Sequence, residues 1–306
     1  MKELSFENDI NQRDIVYWEH RSLCRLYNKI TPDSIEIMHR LEFDELSLEI
    51  GTWDDLSFLQ AFNGKIKIIS INTSKVDWQG LHHCDLVEQL IFPDVMKNTI
   101  DFSIFKNLKR LWIDGREKNI EQVLSLTSLQ DLRIANWQGS DLSALRQLTN
   151  LVCLELVDAR KLQSLDGIGV LEKLHQLQLV CCSKLADISE LTTLCSLQML
   201  QIDSCKKIEF AADYAMLENL KYLCIWGQKQ LVSLQPFMRC NALEILKVSD
   251  LRVLDGQVAC IQQLPNLKKL ILQQKKDYDA DLSAFEQSLE AKFGDYIIQE
   301  KYFQQG

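Results

Sequence analysis

The sequence predicts an α/β solenoid, in which short strands stack into a parallel sheet and the return segments carry short helices or 3₁₀ turns. Two repeated patterns support this class: an apolar triplet through most of the chain, and an Asp-apolar-Ser motif between triplets. A third observation is that Gly (11) and Pro (4) are scarce among 306 residues. Because no stretch has the composition of a linker, we expect one continuous architecture.

The apolar triplet follows the spacing L-x-x-L-x-L. Its last two residues lie two apart, so they point to the same face of a short strand. Eleven triplets follow one another at spacings of 23, 21, 21, 21, 22, 23, 23, 23, 23 and 24 residues. One unit cannot bury its apolar face alone, whereas stacked units share a core. The triplets are Phe43/Leu46/Leu48, Ile66/Ile69/Ile71, Val87/Leu90/Phe92, Leu108/Leu111/Ile113, Leu129/Leu132/Ile134, Leu151/Leu154/Leu156, Leu174/Leu177/Leu179, Leu197/Leu200/Ile202, Leu220/Leu223/Ile225, Leu243/Leu246/Val248 and Leu267/Leu270/Leu272.

The return segments repeat the motif Asp-apolar-Ser. An aspartate carboxylate accepts hydrogen bonds from the first free N–H groups of a helix, so we interpret these residues as caps of short helices or 3₁₀ turns. Asp77 begins a variant of the motif. The motif occurs at Asp55-Leu56-Ser57, Asp101-Phe102-Ser103, Asp141-Leu142-Ser143, Asp187-Ile188-Ser189 and Asp281-Leu282-Ser283.

The unit Leu174-His175-Gln176-Leu177-Gln178-Leu179-Val180-Cys181-Cys182-Ser183-Lys184-Leu185 resembles the repeat of bacterial leucine-rich-repeat proteins of the internalin-like type. Its ninth position, usually Asn or Cys in that family, is Cys182 here and Cys205 in the next unit. The resemblance implies a leucine-rich-repeat solenoid with a curved parallel sheet on the concave face and short helices or 3₁₀ turns on the convex face. The ninth position departs from the family pattern at Trp137, Ala159, Gln228 and Leu251.

The ends of a solenoid need covers, because the terminal core edges would otherwise be exposed. We expect an N-terminal cap over 1–42, leucine-rich repeats over 43–281 and a C-terminal cap over 282–306. In the last segment, the helical spacing of its apolar residues predicts a helix that stops at Gly294, and Tyr296-Ile297-Ile298 suggests a final strand. The apolar residues of that helix are Leu282, Phe285, Leu289 and Phe293.

The net charge and the cysteines indicate which class of binding partner and which cellular compartment to expect. A net charge of −9 disfavours general nucleic-acid binding and favours basic partners. The N-terminus has no apolar run typical of a signal peptide, and no segment is apolar enough to span a bilayer, so no membrane partner is expected. Ten cysteines without a C-x-x-C pair are typical of reduced thiols, which favours a cytoplasmic location.

The sequence contains no motif that indicates catalysis or a cofactor. There is no G-x-G-x-x-G, P-loop, G-x-S-x-G or H-E-x-x-H. The run His82-His83-Cys84 suggests metal ligands only weakly, because adjacent side chains tend to point apart, and a return segment explains it better. The register of Cys181-Cys182 predicts one exposed thiol beside one core thiol.

The repeat register sorts strand residues onto an inner face, defined by positions three, five and seven of each unit with position eight at its edge. Nine acids and four bases occupy these positions, which leaves an excess of five negative charges. The acids are Glu45, Glu49, Asp94, Asp114, Asp131, Glu155, Asp158, Asp203 and Asp250, and the bases are Arg110, Arg133, Lys247 and Lys269.

Two groups on the inner face are candidate contacts for a protein partner. Exposed Trp, Tyr and Arg dominate binding hot spots, although packing between neighbouring strand residues explains each one equally well. The first group is Arg110, Trp112, Asp114, Asp131, Arg133, Glu155 and Asp158, and the second is Met199, Gln201, Asp203, Tyr222, Cys224 and Trp226.

These observations predict a protein-binding module that recognises its partner with the concave face. One narrower hypothesis is an immunity or antitoxin protein that neutralises a toxin. The other is a secreted bacterial effector or surface protein that binds a host protein. An enzyme is a third class, for which the sequence offers no set of catalytic residues.

Overall fold

The structure is a computed structural model that describes residues 15–18, 22–27, 30–49, 52–73, 76, 78–92, 99–210 and 214–294. The chain forms two compact units, Met1–Leu129 and Gln130–Gly306. Strands lie side by side in chain order within each unit. The fold is that of a leucine-rich-repeat solenoid, as predicted.

Among the described residues, the first unit contains six strands and two helices. The helices are α1 (Pro32–His39) and α2 (Ile120–Val123). The strands are β1 (Ile15–Trp18), β2 (Leu23–Leu26), β3 (Glu45–Leu48), β4 (Ile68–Ile71), β5 (Gln89–Ile91) and β6 (Arg110–Asp114).

In the part of the second unit that the structure describes, there are seven strands and one helix, α3 (Ser283–Phe293). The strands are β7 (Asp131–Ala135), β8 (Cys153–Val157), β9 (Gln176–Val180), β10 (Met199–Asp203), β11 (Tyr222–Trp226), β12 (Ile245–Ser249) and β13 (Lys269–Leu272).

The eleven triplets mark the eleven strands β3 to β13, and all thirty-three triplet residues are buried. The parallel register places equivalent positions side by side, so that Leu177 of β9 lies beside Leu154 of β8 and Leu200 of β10. Burying one such leucine contributes on the order of 2 kcal/mol relative to leaving it exposed. The triplet pattern therefore explains both the strands and the core behind them.

The N-terminal region contains a strand that the triplet pattern does not detect. Strand β2 pairs in antiparallel register with β1 and in parallel register with β3, so it adds a twelfth repeat-like strand. Helix α1 follows it. Pro32 stands at the first turn of this helix, and the Thr31 hydroxyl accepts a hydrogen bond from the Ser34 N–H at 3.2 Å.

Most of the described return segments form 3₁₀ helices, and the aspartates act as the predicted caps. The Asp141 carboxylate accepts a hydrogen bond from the Ser143 N–H at 2.9 Å, and the same contact recurs at Asp55, Asp101, Asp187 and Asp281. The 3₁₀ segments are Ser57–Phe62, Trp78–His83, Phe102–Ile104, Ser143–Leu145, Ile168–Val170, Ser189–Thr193, Gln235–Phe237 and Ala259–Gln263.

Two further caps come from the following repeat, which the motif does not predict. Glu190 accepts hydrogen bonds from the N–H groups of Gly167 and Gly169, 23 and 21 residues earlier. Asp279 does the same for Val258 and Ala259. These carboxylates tie two of the return segments, Ile168–Val170 and Ala259–Gln263, to the repeat that follows.

At the C-terminal end, α3 packs against β13, and Leu282 and Leu289 are buried. Gly294 closes the helix with a φ of +66°, a conformation that favours glycine, which confirms the predicted stop. The predicted strand at Tyr296-Ile297-Ile298, the Asp77 variant motif and the inner-face acid Asp94 lie outside the described residues. The domain boundaries at 42 and 282 stay predictions.

Candidate functional site

The inner face of the second unit is built from columns of equivalent residues on parallel strands. Position five runs from charged residues on β7 and β8, through two glutamines, to Lys247 and Ile271 at the far end. In strand order this column is Arg133, Glu155, Gln178, Gln201, Cys224, Lys247 and Ile271. The face therefore has a charged end and an end with apolar and aromatic groups, separated by neutral amides.

The charged end consists of Asp131, Arg133 and Glu155. The Arg133 guanidinium lies 3.3 Å from the Glu155 carboxylate. Burial raises the pKa of Glu155, Arg133 opposes that shift, and Asp131 adds to it. Asp158, at the edge, lies 3.5 Å from Arg160. Much of the charge predicted to face a partner is thus paired within the chain.

The aromatic end consists of Met199 and Tyr222 at position three, Cys224 at position five, and Asp203 and Trp226 at position seven. Met199, Tyr222 and Asp203 are half-buried, whereas Cys224 is only 2% exposed. Burial raises the pKa of Tyr222 and of Cys224. A thiol with a raised pKa is a poor nucleophile, so the structure places Cys224 as packing beneath this surface.

Trp226 is the most exposed aromatic side chain of the predicted contacts, with 42% of its surface open to solvent. Its indole Nε1–H donates a hydrogen bond to the Asp250 carboxylate. The Lys247 ammonium lies 5.6 Å from the ring centroid, within cation–π range. The indole is therefore held in place while part of its surface stays open to solvent.

In the first unit, β6 carries Arg110, Trp112 and Asp114. Arg110 and Trp112 are half-buried, and the backbone carbonyl of Trp112 accepts a hydrogen bond from the Phe92 N–H at 2.9 Å. The first predicted group of contact residues is therefore divided between the two units. Arg110, Trp112 and Asp114 belong to the first unit, and the remaining residues belong to the second.

The prediction that Asp114 presents its charge to a partner is wrong. Asp114 is 1% exposed. Its carboxylate accepts hydrogen bonds from the Arg116 backbone N–H at 2.8 Å and from Arg116 Nε and Nη2 at 2.9 and 2.7 Å. The charge is neutralised two residues along the chain, so this carboxylate closes the end of β6.

A second polar network on the inner face of the first unit includes a residue that the sequence analysis missed. Arg25 of β2 lies 3.6 Å from the Glu49 carboxylate, which also accepts hydrogen bonds from the Ser47 hydroxyl at 2.8 Å and from Asn72 at 3.2 Å. Arg25 escaped detection because β2 carries no complete triplet.

The edge of the inner face in the second unit is a column of left-handed residues. Six successive position-eight residues have φ between +52° and +64°, a region in which Asn, Asp and Gly are the most favourable residues. They are Asn136, Asp158, Cys181, Ser204, Gly227 and Asp250. This conformation turns the chain from each strand into the return segment, so the edge side chains emerge at equivalent places.

The ninth position is a buried ladder that joins neighbouring repeats. The Cys182 N–H donates to the Cys205 sulfur at 3.4 Å, and the Cys205 thiol contacts the Leu179 carbonyl at 3.5 Å. With its amide oriented to suit these neighbours, Gln228 donates to the Cys205 carbonyl at 2.6 Å and accepts from the Cys205 N–H at 3.0 Å. A departure from the family pattern thus performs the same bridging task.

The part of the chain that the structure describes gives little support for a metal site. There, no group of three or more His, Cys, Asp or Glu is arranged to hold a metal ion. His82 and His83 end a 3₁₀ return segment, as expected, but their rings lie 3.8 Å apart and do not diverge. Among these same residues no helix is long and apolar enough to cross a bilayer.

A groove of about 580 Å³ lies between α1 and the first 3₁₀ segment. Pro32, Ile35, Phe58 and Ala61 contribute to its apolar wall, and Asp54 lies among its polar groups. This groove was not predicted from the sequence, because its walls come from a helix in the predicted cap and from a return segment.

No family profile and no curated protein match the sequence. Solved structures do match. An internalin, InlF from Listeria monocytogenes, is 18% identical with a TM-score of 0.57, and the match covers 84% of this chain and 76% of that one. The functional domain of InlJ from the same organism, which includes a cysteine ladder, is 14% identical with a TM-score of 0.53 over 79% of this chain and 51% of that one.

The mouse RP105/MD-1 complex gives a third match, at 16% identity and a TM-score of 0.53 over 82% of this chain and 47% of that one. The chain therefore spans about half the length of the InlJ and RP105/MD-1 chains that it matches. Likeness at these identities concerns the fold: the repeats of this chain form an internalin-like leucine-rich-repeat solenoid.

Proposed function

We propose that this chain is a protein-binding module that recognises its partner with the inner face of the second unit. The observation that carries the proposal is Trp226, a large aromatic side chain held by Asp250 and Lys247 yet open to solvent. Interfaces concentrate their binding energy in aromatic anchors of this kind, because a rigid ring loses little entropy when it is covered.

The surroundings of Trp226 support the proposal. Tyr222 and Met199 lie in register on neighbouring strands, and Ile271 is another exposed apolar residue on the same face. Together with the neutral amides of Gln178 and Gln201, they form a surface of mixed character that is typical of the core and rim of protein interfaces.

Two narrower versions of this function remain proposals. The first is an immunity or antitoxin protein in the cytoplasm that covers the working surface of a toxin, with acidic groups matching basic ones on the partner. The second is a bacterial effector or surface protein that binds a host protein. Finding a toxin gene beside the gene for this chain would favour the first version over the second.

Site-specific crosslinking tests the proposal. A photoreactive amino acid is placed at Gln201 on the inner face, and a matched variant carries it at the exposed return-segment residue Thr193. Each variant is incubated with lysate of the source organism and, separately, with host-cell lysate. We expect a protein to crosslink at Gln201 and not at Thr193. Crosslinking only at Thr193 contradicts inner-face recognition.

The identity of the crosslinked protein separates the two versions. If it arrests growth when expressed alone and this chain restores growth, the immunity version holds. If it is a host protein, the effector version holds.

A further inference from the structure

The indole of Trp226 lies between two carboxylates on neighbouring strands. Asp203 of β10 is in register with Trp226, and Asp250 directly follows Ser249, the partner of Trp226 on β12. Neighbouring strands are separated by about 4.8 Å, so both carboxylates flank the ring.

The contacts of Trp226 occupy its N–H group and leave part of its ring exposed. The indole N–H is already bonded to Asp250, and the Lys247 ammonium lies 5.6 Å from the ring centroid. Around the ring, two carboxylates outweigh one ammonium group. This excess of one negative charge favours a cation.

Gly227 packs closely against Ser204 and Asp203. Its φ is +64°, and a Cβ atom at this position would lie 2.5 Å from the Ser204 hydroxyl oxygen and 3.1 Å from Asp203 Oδ1. The Ser204 hydroxyl donates to that same Oδ1 at 2.8 Å and so orients the carboxylate. A larger residue would press on this arrangement.

We propose that Trp226, Asp203 and Asp250 receive one arginine side chain of the protein partner. This inference rests on the proposed function and specifies the chemistry of the same surface. A guanidinium group is planar and weakly hydrated, so it stacks on an indole while its N–H groups reach carboxylates. The partner's arginine lies over the part of the Trp226 ring that stays exposed beside Lys247 and donates to Asp203, with Asp250 adding attraction from the other side.

Trp112, the other tryptophan among the predicted contacts, lacks this arrangement. On β6 of the first unit, Trp112 is half-buried, and Asp114 beside it is already bonded to Arg116. We therefore expect an arginine to bind at Trp226 and not at Trp112.

The test uses a small probe, so the partner need not be known. Nα-acetylarginine amide is titrated into the full chain while the six tryptophan indole N–H signals are followed by NMR; Trp226→Phe and Trp112→Phe assign their two signals. Nα-acetylcitrulline amide has nearly the same shape without the charge and serves as the control probe at matched ionic strength. We expect the arginine probe to move the Trp226 signal saturably, with a Kd about two- to fivefold lower than that of the citrulline probe.

Charge-removing variants test the two carboxylates. Asp203→Asn and Asp250→Asn keep a hydrogen-bond acceptor, so the ring stays held while the charge is lost. We expect each to reduce the preference for arginine over citrulline, whereas Glu218→Gln, an exposed acid on a return segment, leaves it unchanged.

The inference is overturned if both probes shift the Trp226 signal equally in the unaltered chain, or if the Trp112 signal responds as strongly. It is also overturned if the arginine preference survives in both folded aspartate variants. The two tests can fail separately. The probe titration tests arginine recognition at Trp226, whereas crosslinking at Gln201 tests whether the inner face binds a protein at all.

Discussion

At the scale of single residues, register shows which way a side chain points but not whether it is free to bind. Asp114 and Asp250 were both assigned to the inner face from the same repeat pattern. Asp114 is buried against Arg116, whereas Asp250 is exposed and holds the indole of Trp226. The difference depends on Arg116, two positions after Asp114, and on Trp226, one repeat before Asp250. The apolar triplets predict neither contact.

The aspartate caps predict a pH dependence of stability. Hydrogen bonds from Ser143 hold the pKa of Asp141 below its ordinary value. A carboxyl group whose pKa is lowered on folding stabilises the protein above its unfolded-state pKa, and this contribution is lost as the pH falls through the folded-state pKa. The same shift occurs at Asp101, Asp187 and Asp281.

We therefore expect Asp141→Ala to lower the free energy of unfolding at neutral pH by about 0.5–1 kcal/mol, a small effect because the carboxylate is exposed. Urea denaturation between neutral and acidic pH measures it. The difference in the free energy of unfolding between the variant and the unaltered protein should shrink once the pH falls below the unfolded-state pKa of about 4. Asp166→Ala, at another exposed aspartate, is the control. A difference that persists unchanged in acid contradicts the cap assignment.

At the scale of elements, the triplet identifies strands where all three apolar positions are present and fails where one is missing. Residues Cys24 and Leu26 of β2 align with Leu46 and Leu48 of β3. The first triplet position then falls on Arg21, so the pattern is incomplete in the sequence. Pairing with β3 nevertheless forms the strand, because backbone hydrogen bonds and two buried side chains do not require the third.

The repeat register makes a sharp prediction for two adjacent residues of β9. Leu177 is fully buried, whereas Gln178 lies on the inner face and is half-buried. Leu177→Asp places an unpaired charge in the core, so we expect it to destabilise the protein by more than about 4 kcal/mol or to prevent folding. Gln178→Asp should melt close to the unaltered protein. Thermal unfolding followed by circular dichroism compares them, and equal melting temperatures contradict the register.

At the scale of the whole molecule, the sequence predicted the fold well and the site only in part. The fold follows from apolar residues that repeat across eleven units, so errors at single positions average out. The site depends on individual side chains: Trp226 proved exposed and Asp114 buried, although both occupy position seven. Exposure depends on how each side chain packs against the neighbouring repeats. This packing differs from one repeat to the next, so no repetition in the sequence averages out an error.

The ten cysteines provide a second test at this scale. All ten lie among the described residues and none forms a disulfide, and burial raises the pKa of Cys24 and Cys84 to about 12. We predict ten reactive thiols in freshly purified protein titrated under denaturing, non-reducing conditions. In the folded state the exposed Cys195 should react first and the buried thiols slowly, because little thiolate is present. Fewer than ten thiols in denaturant would reveal a disulfide and contradict the reduced state on which the cytoplasmic proposal depends.

The central claim is that the inner face binds a protein through Trp226, and the affinity of the crosslinked partner for Trp226→Ala tests it most directly. Isothermal calorimetry with the unaltered chain, Trp226→Ala and Trp112→Ala is combined with the melting temperature of each. We expect Trp226→Ala to weaken binding by about 2 kcal/mol or more, roughly thirtyfold, and to melt near the unaltered protein, because its ring lies outside the core. Trp112→Ala should weaken binding less, because its ring is less exposed. Unchanged affinity in a fully folded Trp226→Ala variant would contradict the claim.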